Sequence, residues 1–422
     1  MIKIKRESIL AFAIFLPYIE RGFIDNILSY KTDDAYFRSM LLFLICGIFT
    51  LLFYTNVRKK KGVKKLRVLI WHNGVFWYLL LVALLHFHFG TKNISVMLWF
   101  FLPMIFAYSF AYMCRKVKVD IPLLITTMIK YFAIYVVISL VYNVLFYGLF
   151  RRANVRMTTP GGGAVIFAYT TAFVFALTLA YKDYFKNRDC FIIMALFSIG
   201  AIACGSRGGM WPILGMWFYY YVFSNITLKR IVITFAGILG VIIINPIKMM
   251  QVYFPHLFLK TNHARGMSSS NLLTLFWSSP ILEKLFGHGP GEFFPYQEWI
   301  MDVSYGRRYS WDNYVLVDGL QVLVQPHNTY IYMLYEYGVI AVFILVLFLI
   351  VNIFVSWKSE KQRNKFFMIL PVPVFAFVNC FDSILFVQPG AAAIMWMLLL
   401  VYLSDVNERI NIRFRLKKQK KE

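Results

Sequence analysis

Residues 328–356 read NTYIYMLYEYGVIAVFILVLFLIVNIFVS, with one acid, Glu336, and no lysine or arginine. A soluble helix keeps a polar face, whereas this run has almost none. About 20 mainly apolar residues suffice to cross a bilayer, so the run reads as a transmembrane helix. Outward from it, the chain repeats the pattern at roughly 8–24, 37–56, 68–89, 94–113, 120–148, 161–181, 190–204, 209–223, 231–247, 366–386 and 389–405. With 328–356 these make twelve candidate spans. The seventh and eighth are short and meet at Gly205–Gly209. The expected fold is an all-α polytopic membrane protein. No small-residue cleavage site follows the first span, which therefore reads as an anchor and not as a removed signal peptide.

The composition agrees. Of 422 residues, 60% are hydrophobic and 15% charged, against about 45–50% and about 25% in soluble domains. A soluble core has no room for 42 Phe, 27 Tyr and 10 Trp. An ordinary cytosolic enzyme and a disordered chain are both excluded.

The chain carries 44 Lys and Arg against 20 Asp and Glu, a formal charge of +24. With the N-terminus placed inside and the spans alternating, 29 cations fall on inside segments and 14 outside, while Lys130 lies within the fifth span. The inside connections are short and basic, above all RKKKGVKKLR at 58–67 and the tail from Arg409 to Lys421. The positive-inside rule then predicts both termini in the cytoplasm. A basic tail held to anionic lipid accounts for much of the net charge, and nucleic acid is not an expected partner. The expected organisation is nine helices in 1–247, a large extracytoplasmic loop in 248–327, three helices in 328–405 and a basic cytoplasmic tail in 406–422. All five cysteines lie in or at the ends of spans, which argues against a disulfide framework.

Cations on the outside run against this trend and need a reason of their own. They include Arg151, Arg152, Arg156, Arg207, Arg265, Arg307 and Arg308. Arg207 stands in Cys204-Gly-Ser-Arg-Gly-Gly-Met210 between two apolar runs. The glycines permit a tight turn or a close approach. An arginine fork there suits two oxygens of a phosphate or carboxylate, or it snorkels from a helix end. His327 lies in Gln325-Pro-His-Asn-Thr-Tyr330, where Pro326 fits a helix start and Asn328 or Thr329 fits the cap. At the mouth of a helix it is either a proton acceptor or a histidine held by a structural hydrogen bond. Glu336 lies nine residues on, on another helix face, and so deep in an apolar run it is expected to hold an arginine or another helix.

Other constellations carry less. His86 and His88 are spaced to point apart on a helix, and His256, His263 and His288 show no metal-ligand spacing. Neither metal nor cofactor is expected. Gly161-Gly-Gly163 is followed by no P-loop lysine, and Gly287-His-Gly-Pro-Gly291 reads as a turn-rich break in the long loop. The aromatics from Phe293 to Tyr314 suit either sugar stacking or an interfacial belt.

Three segments in order resemble one family: Gly205-Ser-Arg-Gly-Gly209; Arg265 with Trp277, Pro280 and Gly287-x-Gly-Pro-Gly291; and Pro326-His-Asn-Thr-Tyr330 with Glu336 and Gly338. The pattern is similar to that of the O-antigen ligase and O-antigen/capsule polysaccharide polymerase superfamily. The motifs cover about 205–338, while the topology covers the whole chain. The tryptophan usual soon after the loop arginine is displaced here to position 277.

The resemblance implies a C-type B glycosyltransferase-like fold in the bacterial inner membrane, with its active site on the extracytoplasmic face. It implies a metal-independent, inverting transfer of glycan from undecaprenyl diphosphate to a second glycan. Carried over by motif, Arg207 and Arg265 bind the diphosphate, and His327 is placed near the acceptor as the catalytic residue. Asn328, Glu336, Arg307 and Arg308 are supporting candidates. The implied partners are the lipid-linked glycan, membrane lipid, and a chain-length regulator and flippase of the same pathway. A polymerase of lipid-linked repeat units is the favoured role. The alternatives are a ligase that moves the finished glycan to lipid A core, and a transporter of polysaccharide or lipid-linked glycan.

Overall fold

A computed structural model describes residues 6–12, 14–15, 74–86, 101, 103–108, 110–112, 114, 119–149, 156–157, 163–224, 227, 230, 232–233, 236, 261–290, 314–317, 320–323, 327–359, 364–382, 385 and 389–419. In chain order its main helices are α1 (Gly74–Leu85), α2 (Ile121–Tyr142), α3 (Ala164–Ala180), α4 (Asn187–Ala203), α5 (Arg207–Ser224), α6 (Thr261–Ser278) and α7 (Ile281–Phe286). A two-stranded antiparallel hairpin follows, β1 (Tyr314–Val317) with β2 (Leu320–Leu323). Then come α8 (Thr329–Ser359), α9 (Lys365–Met368), α10 (Pro371–Val378) and α11 (Pro389–Gln419). The protein is helical as expected. The hairpin is an addition, and in sequence its strands are separated by Asp318-Gly319, a pair suited to tight hairpins.

Among the described residues, two helices are long and apolar enough to cross a membrane, Ile121–Tyr147 and Thr329–Ser359. The second has a non-helical Gly338 near its start; at 1.5 Å per residue the part beyond it, 339–359, is ~32 Å long, enough for the roughly 30 Å of a hydrocarbon core. It leaves Val339, Phe343, Leu347, Ile350, Val351 and Phe354 exposed, all apolar. The run at 37–56, and parts of those at 8–24, 68–89, 94–113, 161–181, 231–247 and 366–386, lie outside the described residues.

The structure departs from the expected spans in one place. The run at 366–386 is two short helices that end at Val378. Pro371 and Pro373 remove two backbone donors there, which discourages one continuous helix. The last run, 389–405, lies in α11, which continues as helix beyond it to Gln419.

The chain divides into two compact units. The first comprises Met1–Leu124, His263–Asn352 and Asn379–Asp405; the second comprises Ile125–Asn262, Ile353–Val378 and Val406–Glu422. In the second, α3 is buried along nearly its whole length. It is apolar on every side, so it forms the centre and its neighbours wrap it. Phe167 meets Phe132 at 5.6 Å, Phe173 meets Phe375 at 5.7 Å, and Phe175 meets Trp217 at 5.8 Å between ring centroids. The hydroxyls of Thr170, Thr171 and Thr178 donate to carbonyls one turn back, at 2.9, 2.6 and 2.9 Å. This satisfies them inside an apolar core. In the first unit, α11 is buried from Ala392 to Leu403 and is the counterpart of α3.

Candidate active site

The Pro326–Tyr330 stretch forms a helix start, and the residues after α10 complete it. Asn328 is the cap: its Oδ1 accepts from the N–H groups of Tyr330 at 2.9 Å and Ile331 at 3.1 Å. Two of the four donors that a helix start leaves open are thereby satisfied. Thr329 does a different job. Its N–H donates to the Asn379 carbonyl at 2.9 Å. Its buried hydroxyl lies 3.0 Å from Asn379 Oδ1 and 2.9 Å from the Asp382 carbonyl, so its one proton serves either acceptor. The start of α8 is thus stitched to the turn at 379–382.

That stitching brings Asp382 to His327. The ring Nδ1 lies 3.4 Å from Asp382 Oδ1, with side-chain exposures of 10% and 6%. The approach is close enough for an ion pair, but it is not aligned as a hydrogen bond, and no other described group bonds Nδ1. Because Nδ1 is covered, the exposure that the ring keeps lies at its other atoms. A carboxylate on one nitrogen favours a proton there and leaves the other nitrogen to act as base. Asp382 is the residue the sequence reading missed. Its signal was two polar residues, Asn379 and Asp382, in the last third of an apolar run.

About two and a half turns into α8, at 3.6 residues per turn, the helix is broken. Gly338 has φ 78° and ψ 174°, well outside helical values. The carbonyls of Tyr335 and Glu336, which a continuous helix would give to its own next turn, are taken by the loop after α7. His288 N–H donates to Tyr335 O and Gly289 N–H to Glu336 O, each at 3.0 Å. Gly287, with φ 79°, and Gly338 face each other's backbones so closely that a Cβ on either would overlap main-chain atoms. Tyr78 of α1 places its hydroxyl 3.4 Å from Leu285 O and 3.5 Å from Tyr337 O. The Gly287–Gly289 segment, expected as a turn-rich break, is thus the partner strip of the broken helix. His288 stacks on Tyr335 at 4.3 Å and sets Nε2 2.9 Å from Ser279 Oγ. Gly289 leaves room for the His86 side chain.

Glu336 is fully buried. Its carboxylate interacts with the hydroxyl-bearing side chains of Tyr332 and Tyr337 on its own helix.

The Gly205–Gly209 motif lies in the second unit, where its glycines divide the labour. Gly205, at φ 59°, turns the chain between α4 and α5, so the seventh and eighth runs are separate helices. Gly208 and Gly209 let α5 lie against Tyr169 and the Ala168 backbone of α3, the close approach that small residues allow between helices. Arg207 is the first residue of α5 and is partly exposed. Met157 N–H donates to the Ala203 carbonyl at 2.9 Å, which brings the neighbouring, exposed Arg156 to the same turn.

Arg265 lies in α6, with its side chain outside the described set, and Arg307 and Arg308 are outside the described residues. So are Arg151, Arg152 and the aromatics from Phe293 to Trp311, while Tyr314 opens β1. Compared with known proteins, the chain matches no protein-family model and no curated protein.

Proposed function

We propose that the chain is a multi-pass membrane glycosyltransferase that polymerises lipid-linked oligosaccharide repeat units. In this reading it crosses the bacterial inner membrane about twelve times, with both termini in the cytoplasm. The observation that carries the reading is the ring of His327, held against Asp382 at the start of a long apolar helix. A base is thereby oriented where an apolar helix begins, a suitable place for an enzyme whose donor has a lipid tail and a polar head.

The chemistry follows from the residues. The acceptor hydroxyl attacks the anomeric carbon of the donor glycan, and the bond from that carbon to the diphosphate oxygen breaks. The hydroxyl proton passes to the free nitrogen of His327, and Asp382 stabilises the imidazolium that forms. The departing diphosphate gains negative charge, which arginines stabilise without a metal ion. Arg207 and Arg265 are assigned that role by motif, with Arg307 and Arg308 in support. Attack from the face opposite the leaving group inverts the anomeric centre.

The break at Gly338 is the observation that favours a transporter, since broken helices often build transport sites. Its Tyr335 and Glu336 carbonyls are occupied by loop N–H groups, however, which suits a closed joint better than an ion site.

The test uses purified protein with a chemically defined undecaprenyl-diphosphate repeat unit, wild type beside His327→Ala. A ladder of longer lipid-linked glycans from wild type alone is the expected result, unchanged by a strong chelator. Product that appears only when lipid A core is added means a ligase. Movement of the lipid-linked unit across a bilayer without bond formation means a transporter and overturns the proposal.

A further inference from the structure

Away from the candidate site, one end of the second unit gathers cations from five separate chain segments. Lys182, between α3 and α4, lies 4.2 Å from the Phe367 ring centroid and 5.8 Å from that of Tyr220. Lys365, opening α9, stands 4.4 Å from Trp357 and 5.3 Å from Phe366. Arg409 of α11 donates to the Tyr184 hydroxyl at 3.1 Å and sits 5.9 Å from the Tyr181 ring. Arg230 donates to the Tyr221 carbonyl at 2.9 Å and covers that ring at 4.9 Å. The segments are tied together directly, since the Tyr219 hydroxyl donates to the Phe366 carbonyl at 2.8 Å.

The fifth cation shows where the apolar surroundings end. Lys130 is exposed on α2, nine residues or ~14 Å into a helix long and apolar enough to cross a membrane. Its ammonium reaches to 5.9 Å from the Phe185 ring, in the connection that carries Lys182. A lysine inside an apolar span extends towards the nearer polar boundary. Its direction therefore marks this end as the headgroup level. Cations seated on aromatic rings beside apolar helix ends are the composition of that level.

The charge is one-sided. Lys186 on the same connection and Arg188 in the first turn of α4 are exposed, and the backbone of α11 continues as helix through a stretch that adds Arg413, Arg415, Lys417 and Lys418 in sequence. In sequence the acids of these segments, Asp183, Asp189, Glu360, Asp405, Glu408 and Glu422, are outnumbered by the lysines and arginines.

We propose that this end of the second unit is a docking surface for the phosphate headgroups of anionic phospholipids. The aromatic seats hold each cation in place while the charge remains for a phosphate beyond it. This inference needs only that the chain lies in a membrane, so it stands or falls separately from the transferase reading.

The experiment is a thermal-unfolding titration of the full chain in neutral detergent, with phosphatidylglycerol, phosphatidylcholine or inorganic phosphate added. Phosphatidylglycerol is expected to raise the midpoint by several degrees, and the other two to leave it in place. In Lys182→Gln/Lys365→Gln/Arg409→Gln the rise should fall by more than half, while Lys182→Arg/Lys365→Arg retains it. Should the triple variant not fold, Lys186→Gln/Arg188→Gln carries the test. It should need roughly fivefold more phosphatidylglycerol for half the shift per cation removed. An equal rise with phosphatidylcholine or with inorganic phosphate overturns the proposal. So does a wild-type response from whichever variant folds.

Discussion

Two glycine-bearing motifs of similar appearance do opposite things to the helices around them. At Gly205–Gly209 the glycines bring two intact helices together: one turns the chain, and two let α5 lie on α3. At Gly287–Gly289 and Gly338 the glycines take a helix apart and hold the break closed with a loop. In the first, Gly205 turns the chain at positive φ, while Gly208 and Gly209 clear the space in which α5 packs. In the second, the glycines themselves are the device, because the backbone needs φ values that other residues rarely adopt. Glycine in a motif therefore does not by itself mark a ligand site; what its missing Cβ makes room for decides the matter.

The largest expected effect would break the second motif outright. In Gly338→Val a β-branched side chain must adopt positive φ and overlap the Leu285 carbonyl. We expect loss of folded protein, read as collapse of the monodisperse peak in detergent. Gly215→Ala is the control, since nothing lies within 4 Å of the added Cβ. It should keep or raise the unfolding midpoint, because alanine is the better helix former by up to about 1 kcal/mol.

Next in size are substitutions that leave both glycine devices intact. His327→Ala should lower transfer by about 10²–10⁴-fold, the usual worth of a positioned base, with the protein still folded in the membrane. Asp382→Asn should lower it by about tenfold or more, because the amide no longer stabilises the charged ring. Single-turnover rates check both. Full activity in His327→Ala would remove the site assignment. In the first motif, Arg207→Ala should cost about 10²–10³-fold, as for loss of one charge-stabilising donor. Its unfolding midpoint should stay close to wild type, whereas Gly209→Leu should unfold the helix pair. That contrast tests whether arginine and glycine in one turn have separate jobs.

These contrasts also show what a reader of the sequence can and cannot find. Helices are written locally: the apolar runs at 120–148, 161–181 and 328–356 coincide with α2, α3 and α8 to within a few residues. Even the doubtful division at Gly205 was legible, since a glycine between two apolar runs marks a turn. What a residue faces across the fold is not written locally. Asp382 lay inside a run that read as one apolar span, and its partner is 55 positions away. The glycines at 287, 289 and 338 were visible, but nothing in their spacing said that they meet. The full length of α11 was not written in its apolar run. A basic stretch no longer apolar enough to span a membrane can still be helical, since lysine and arginine are good helix formers.

The smallest expected effect separates a structural from a chemical role at the residue beside the base. Asn328 was a supporting candidate by motif, and in the fold its Oδ1 is fully engaged as the cap of α8. A cap of this kind is worth about 1 kcal/mol when replaced by alanine, and aspartate caps as well as asparagine does. Asn328→Ala should therefore lower stability by about 1 kcal/mol, and Asn328→Asp should leave it unchanged; denaturant or thermal unfolding in detergent reads both. Transfer is the second readout. If Asn328 acts only through the cap, Asp restores activity along with stability, because the helix start then presents His327 as before. If its amide also meets the acceptor glycan, Asp restores stability alone, since a carboxylate loses the N–H donors. Given that both described bonds are made by the oxygen, the expected result is joint recovery, which would make His327 the reacting group of the motif and Asn328 its support.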